Sequence, residues 1–156
     1  MAVDTNKAIK ILSDLIHLDV DAIHAYDQAI DHIDVVAIKD RIIEFRDDHE
    51  RHVTDLSAEI RRLGGEPPKR GRDLKGFFLE GFTAVRAATG TEGALKAMHT
   101  NEELTNRRYQ DALDSGLPAE ALDVVRRNRE DERRHLAFID QVLRDKMWEQ
   151  PPPPPA

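Results

Sequence analysis

The sequence has no cysteine, which excludes disulfides, thiolate metal sites and iron–sulfur clusters together. Aromatic residues are scarce, at 5%. Glycine and proline gather in a few places instead of recurring as turn signals, which suits helices joined by short breaks better than a sheet. No apolar run is long enough to span a bilayer. The N-terminus, MAVDTNKAIKILSDL, lacks the basic region followed by an apolar region that marks a secretory leader, so the expectation is a cytoplasmic protein with no membrane partner. Basic charge is also missing: a formal net charge of -7 argues against a nucleic-acid surface, which needs a basic face. What is present is enough chain, 156 residues, for one domain with a genuine core, and the expected class is all-α.

Four helical seams can be read. Over residues 6–33, Ile9, Leu12, Ile16, Asp19, Ile23, Tyr26, Ile30 and Ile33 recur in steps of three and four, the spacing of a bundle-facing stripe. After a tight link near Asp34 the stripe resumes through Ile38, Ile42, Phe45, His49, His52, Leu56, Ile60 and Leu63, and Gly64 and Gly65 stop it. A short connection between these two helices makes them an antiparallel hairpin. Residues 64–73 read as a polar loop that opens a crossover. Within it, Leu74, Phe77, Phe78, Phe82 and Val85 predict a short amphipathic helix whose aromatic face suits packing on the bundle or a homodimer contact.

The third long helix is expected over 91–114, with Thr91 as its N-cap and a stripe through Leu95, Met98, Glu102, Thr105, Tyr109 and Ala112. Gly116 ends it. The fourth runs over 118–148 from Pro118, through Leu122, Val125, Asn128, Glu132, His135, Ile139 and Val142. The expected organisation is a bundle over 1–148 and an extended proline-rich tail over 149–156.

The two halves match under one shift. Asp19 and Glu102, Tyr26 and Tyr109, His49 and Glu132, and His52 and His135 are each 83 positions apart, and FRDDHERHVTDL overlies NREDERRHLAFI without a gap. Counting outward from the turn near Asp34 sets Asp19 beside His49. Residues three apart share a helix face, so His49 with His52, and Glu132 with His135, can reach a common point. Tyr26 and Tyr109 lie on the same inward stripe, where they can hydrogen-bond to the group from outside or simply pack.

A lone histidine on an apolar stripe is more often a hydrogen-bonded core residue. Six polar residues at one level of a core are different, because each buried unpaired ion costs several kcal/mol. Bound metal is the simplest compensation, and a hydrogen-bonded network of histidines and carboxylates is the alternative. Oxygen and imidazole donors without thiolate suit iron, manganese or zinc. His17, Asp21 and His24 form a further stripe that reads as a solvated face, and Arg126, Arg127, Arg129, Arg133 and Arg134 alternate with acids as exposed helix faces do.

Glu132-Arg133-Arg134-His135, together with Glu102 seven residues before Tyr109, resembles the ferritin-like superfamily and its bacterioferritin and rubrerythrin-type members. There each hairpin gives a carboxylate from its first helix and a Glu-x-x-His from its second. The resemblance covers nearly the whole chain, and the crossover is similar to that of a branch with a short extra helix between the second and third long ones. It implies an antiparallel four-helix bundle and a dinuclear metal centre of Asp19, His49, His52, Glu102, Glu132 and His135. Two iron ions are the cofactor so implied, with oxygen or peroxide as the reactant, oxidase or ferroxidase chemistry, and Glu102 and Glu132 as bridges. Tyr26 and Tyr109 would tune the centre or donate electrons. Two departures stand out: Asp19 replaces the usual Glu, and His49 stands where the family has a carboxylate. Two divalent ions would then face three carboxylates instead of four, and one ion would bind much more weakly. The competing reading is a non-catalytic binding or assembly bundle with a polar core.

Overall fold

A computed structural model of the chain describes residues 4–70, 89–149 and 155. Among these residues there are four long helices and no strand: α1 (Thr5–His32), α2 (Val36–Arg62), α3 (Gly90–Leu113) and α4 (Ala119–Asp145). The crossover positions Leu74, Phe77, Phe78, Phe82 and Val85, on which the extra helix and the homodimer expectation rest, lie outside the described residues. So does nearly all of the proline tail.

Local chemistry sets the helix ends. The Asp4 carboxylate accepts from the Asn6 and Lys7 amides and caps α1, satisfying donors that the first turn leaves over. Thr91 does not cap α3, which begins at Gly90 after Thr89. Its hydroxyl instead accepts the Asp34 amide at 3.0 Å, tying the α1–α2 turn to the start of α3. Helix α4 stops at Asp145, short of the expected 148, because Lys146 takes a left-handed conformation (φ 46°) and a 3-10 turn, Met147–Glu149, follows. Gly65 also has a positional reason. A Cβ there would lie 2.8 Å from Ile9 Cδ1, so any larger residue would have to push the Ile9 side chain aside where the end of α2 closes on α1.

Helix α1 packs on α2 and α3, and α4 packs on the same two. Cross-helix contacts give the directions: Asp19 meets His49 while Asp27 meets Arg46, and Tyr26 meets Glu102 while Tyr109 meets Asp19, so α1 is antiparallel to both neighbours. Helices α2 and α3 are therefore parallel and diagonal. Gly65 contacts Ile9 near one end of α1, and Thr91 bonds Asp34 at the other, so the link between α2 and α3 begins and finishes at opposite ends of the bundle.

The core has three levels. One apolar block contains Leu12, Ile16, Leu56, Ile60 and Val125, and another contains Ile33, Ile42, Phe45, Met98 and Ile139. Between them lie Asp19, His49, His52, Glu102, Glu132 and His135, each with 0% exposure. Full burial of each large aliphatic side chain contributes about 1.5–3 kcal/mol, and these blocks offset the cost of the polar level.

Candidate metal centre

The six residues form two overlapping groups. Asp19, His49, His52 and Glu132 make the first, and His49, Glu102, Glu132 and His135 the second, each with donor atoms mutually within 4.8 Å. Each of the six residues falls in one or both of these groups. Of the two carboxylates expected between the subsites, Glu132 joins both groups but Glu102 joins only the second. The other shared position is His49. The reason is geometric: Glu102 on α3 is the counterpart of Asp19 on α1, whereas His49 and Glu132 come from the adjacent helices α2 and α4.

In the first group, His49 Nδ1 lies 2.7 Å from Asp19 Oδ1 and 3.3 Å from Glu132 Oε1. His52 Nδ1 lies 3.1 and 3.3 Å from the same two oxygens. Donors each about 2.0–2.1 Å from one ion are about 2.9–3.4 Å apart in octahedral or tetrahedral geometry. Three of these separations lie within that spacing, and the His49–Asp19 distance is slightly shorter. In the second group the separations are wider: 3.5 Å for His49 Nε2 and for His135 Nδ1 to Glu102 Oε1, and 3.6 Å for His135 Nδ1 to Glu132 Oε2. Glu132 Oε1 and His135 Nδ1 are buried within ion-pair range of these neighbours, yet neither makes a hydrogen bond. A native core rarely leaves such atoms unsatisfied, and a cation at the centre fits both.

A frame around the groups fixes the rings. His52 Nε2 meets Asp131 Oδ2 at 3.0 Å and His135 Nε2 meets Asp48 Oδ2 at 2.8 Å. Burial raises the Asp48 carboxyl, but its bond and charge interaction with His135, helped by Arg134 and Arg51, outweigh this and hold it at about 2. For Asp131, burial is likewise outweighed by His52 and Arg51, and its pKa is lowered. Both are carboxylates that accept, so each Nε2 carries its hydrogen, and whenever the ring is neutral its Nδ1 lone pair faces inward. Arg51 and Arg134 brace the two aspartates, each bonding to both.

The tyrosines cross between hairpins. Tyr26 donates to Glu102, and Tyr109 donates to Asp19 at 2.5 Å. Each phenol is held well above its ordinary pKa, first by burial and then by the carboxylate it faces, so it remains a donor. Thr105 Oγ1 lies 3.0 Å from Glu132 Oε2 and 3.2 Å from Glu102 Oε2.

Without a cation the cluster pairs with itself. Burial disfavours the imidazolium form of His49, but Glu132, Asp19 and Glu102 raise its pKa to about 9. His52 and His135 are raised well above 6.5 against the same burial, chiefly by Asp19 and Glu102 respectively. Asp19 and Glu102 are correspondingly lowered, burial being outweighed by the histidines.

Sequence reading missed Asp48, Asp131, Arg51 and the site role of Arg134. The signal was available, since Asp48-x-x-Arg51-His52 and Asp131-x-x-Arg134-His135 coincide under the same 83-residue shift. His17 and Asp21, half-buried, and His24, exposed, belong to neither group. His99 bonds Asp140 and Glu103 on the outside of α3 and α4.

Among solved structures, a bacterioferritin-related protein from Bacteroides fragilis, described as a dodecameric thioferritin, superposes with a TM-score of 0.81 at 17% identity, over 94% of this chain and 89% of that one. The Desulfovibrio desulfuricans bacterioferritin, described with a diiron site, gives 0.71 at 20% identity, over 95% and 86%. A two-domain Anabaena variabilis protein with DJ-1/ThiJ/PfpI-like and ferritin-like domains gives 0.76 at 13% identity; the match covers 99% of this chain, which spans only 41% of that protein. No curated protein matches the sequence. Among the described residues no helix is long and apolar enough to cross a membrane. The profile of one family matches residues 7–115, more than two thirds of the chain, ending before α4 and its Glu132 and His135. The fold is the ferritin-like four-helix bundle, and the chain belongs to the family described as a domain of unknown function (DUF2383).

Proposed function

We propose that the protein is a metal-binding ferritin-like bundle whose buried centre holds two adjacent transition-metal ions, iron in the first instance. The observation that carries this is Glu132. Its two carboxylate oxygens face different donor groups, and the one among His49, His52 and Asp19 makes no hydrogen bond. Asp19, His49, His52 and Glu132 would hold one ion; Glu102, His135 and Glu132 would hold the other, with His49 beside it. Manganese and zinc suit the same oxygen and imidazole donors.

Bound as ferrous ions, the pair would supply electrons for reducing oxygen or peroxide, the basis of an oxidase or ferroxidase role. The chain's own contribution is orientation and exclusion. Asp131 and Asp48 fix the ring planes of His52 and His135. Tyr109 and Tyr26 hold one oxygen each of Asp19 and Glu102. The apolar blocks above and below keep bulk water from the donors. Both phenols keep their protons and act as donors to the carboxylates.

Anaerobic Fe²⁺ titration followed by exposure to oxygen tests this reading, with oxygen uptake that depends on bound iron as the expected result. A second reading is favoured by the self-pairing of the histidines with Asp19 and Glu102: a non-catalytic bundle with a satisfied polar core. Elemental analysis after native purification separates the two. Absence of transition metal, persisting after anaerobic iron loading, would leave the polar-core bundle as the function to pursue.

A further inference from the structure

At the shared position opposite Glu132 the chain carries an imidazole, and the two side chains share differently. Glu132 has two oxygens, one directed to each group. His49 also turns one ring nitrogen to each group, Nδ1 toward Asp19 and Glu132 Oε1, Nε2 toward Glu102 Oε1. A carboxylate can donate electron pairs from both oxygens together. A neutral imidazole has one nitrogen lone pair in the ring plane; its other nitrogen carries a hydrogen and can only donate that hydrogen. His49 can therefore ligate in one group only while it hydrogen-bonds a carboxylate of the other.

The distances indicate which group it serves. Nδ1 is 2.7 and 3.3 Å from the oxygens of the first group, close enough to share one ion with them, whereas Nε2 is 3.5 Å from its neighbour in the second. His52 Nδ1 faces the same two oxygens at 3.1 and 3.3 Å, so the first group already has two nitrogens and two oxygens around one point. With Nδ1 committed there, Nε2–H points to Glu102.

Resting on the metal-binding reading above, we infer that His49 makes the two subsites unequal: Asp19, His49, His52 and Glu132 form a four-donor site that fills first. Glu102, His135 and the second oxygen of Glu132 form a three-donor site that fills later and more weakly. The order of filling is set by one side chain on α2, and a carboxylate at that position would remove it. The first ion then has a nearly complete set of protein donors, while the second keeps open positions for a small exogenous ligand.

Zn²⁺, which undergoes no redox change, is the probe, and calorimetric titration of the full chain with crystallographic anomalous maps at one and two equivalents is the test. The wild-type chain should bind two ions in sequence. The second should be weaker by roughly tenfold or more, since loss of even an outer partner of a ligand costs about 10–100-fold. The map at one equivalent should show density among Asp19, His49, His52 and Glu132 alone. His135→Ala should retain the first ion and lose the second; His52→Ala should lose the tight step, with helical content checked by circular dichroism. His49→Glu should bring the two affinities together. Two equal steps in the wild type, first density beside Glu102 and His135, or an unchanged gap in His49→Glu would overturn the inference while leaving a metal-binding bundle. Absence of any Zn²⁺ binding would overturn both.

Discussion

Hairpin α1–α2 brings Asp19, His49 and His52 to the centre, and hairpin α3–α4 brings Glu102, Glu132 and His135 to the corresponding places. Around them the outer contacts occur in pairs. Asp131 with His52 matches Asp48 with His135, Arg51 with Asp131 matches Arg134 with Asp48, and Tyr109 with Asp19 matches Tyr26 with Glu102. Two of the three inner positions differ, Asp against Glu and His against Glu, while His52 matches His135. Nearby, Phe45 stacks on His135 at 4.3 Å, while its counterpart Asn128 reaches Tyr109 at 3.4 Å, and the sequence counterpart of Thr105 is Ala22. The frame that aims the imidazoles is thus separable from the donors it encloses. One half is richer in nitrogen and the other in oxygen, within a common scaffold.

The largest test removes the member that both groups share. Glu132→Ala should abolish transition-metal binding and lower metal-free stability by about 3–5 kcal/mol, the cost of breaking a buried charge pair. Urea unfolding and metal analysis measure these; retention of one ion would show that the halves work independently. Next comes pH, through groups on both sides. The raised pKa of His49, from 6.5 to about 9, contributes stability that is complete below 6.5 and is lost as pH climbs through 9. His52 and His135, also raised, add to the loss in the same direction. Metal-free protein should lose on the order of a few kcal/mol over this interval. Metal affinity should move oppositely, rising with pH because the ion must displace imidazole protons. Denaturation and calorimetry at matched pH values read both slopes, and parallel slopes would contradict the assignment.

A smaller effect compares the frame directly. Asp131→Asn and Asp48→Asn should each weaken binding of the ion on their own histidine by roughly 10–100-fold. Equal losses in isothermal titration would sharpen the equivalence of the two frames. The smallest separates the tyrosines. Tyr109→Phe leaves Asp19 Oδ2 without its donor, costing about 1–3 kcal/mol, while Tyr26→Phe leaves Glu102 Oε1 with only the longer His49 Nε2 contact. Tyr109→Phe should cost more, because Asn128 loses its acceptor as well; thermal or urea unfolding of the two metal-free variants gives the order.

Much of this arrangement was legible because it is periodic. Steps of three and four along each stripe identify the inward positions, and Asp19, Glu102 and the histidines interrupt otherwise apolar seams. Counting from Asp34 was enough to put Asp19 beside His49, which lie 2.7 Å apart. The tyrosines were legible as inward residues, but not their partners: each bonds the opposite hairpin's carboxylate, a matter of how hairpins dock. Asp48 and Asp131 were hidden because each adjoins the inner stripe and reads as part of a charged helix face. Only at the meeting of α2 and α4 does that position turn toward a histidine of the facing helix. The end of α4 was misjudged for a backbone reason, the left-handed turn at Lys146, in a residue type that does not advertise one.

The tyrosine bonds across α1 and α3 have a consequence for the lifetime of the folded state. Each hairpin can form from short-range contacts, but Tyr26–Glu102 and Tyr109–Asp19 join residues 76 and 90 positions apart in the chain. Such distant contacts carry a larger loop-closure cost and come to completion after the hairpins are in place. An occupant that binds only the assembled state would add to the unfolding barrier as it adds to stability. Helix content that survives while the amides flanking Asp19 and Glu102 exchange freely would mark separated hairpins, and the slowest-exchanging amides would mark the fully docked bundle.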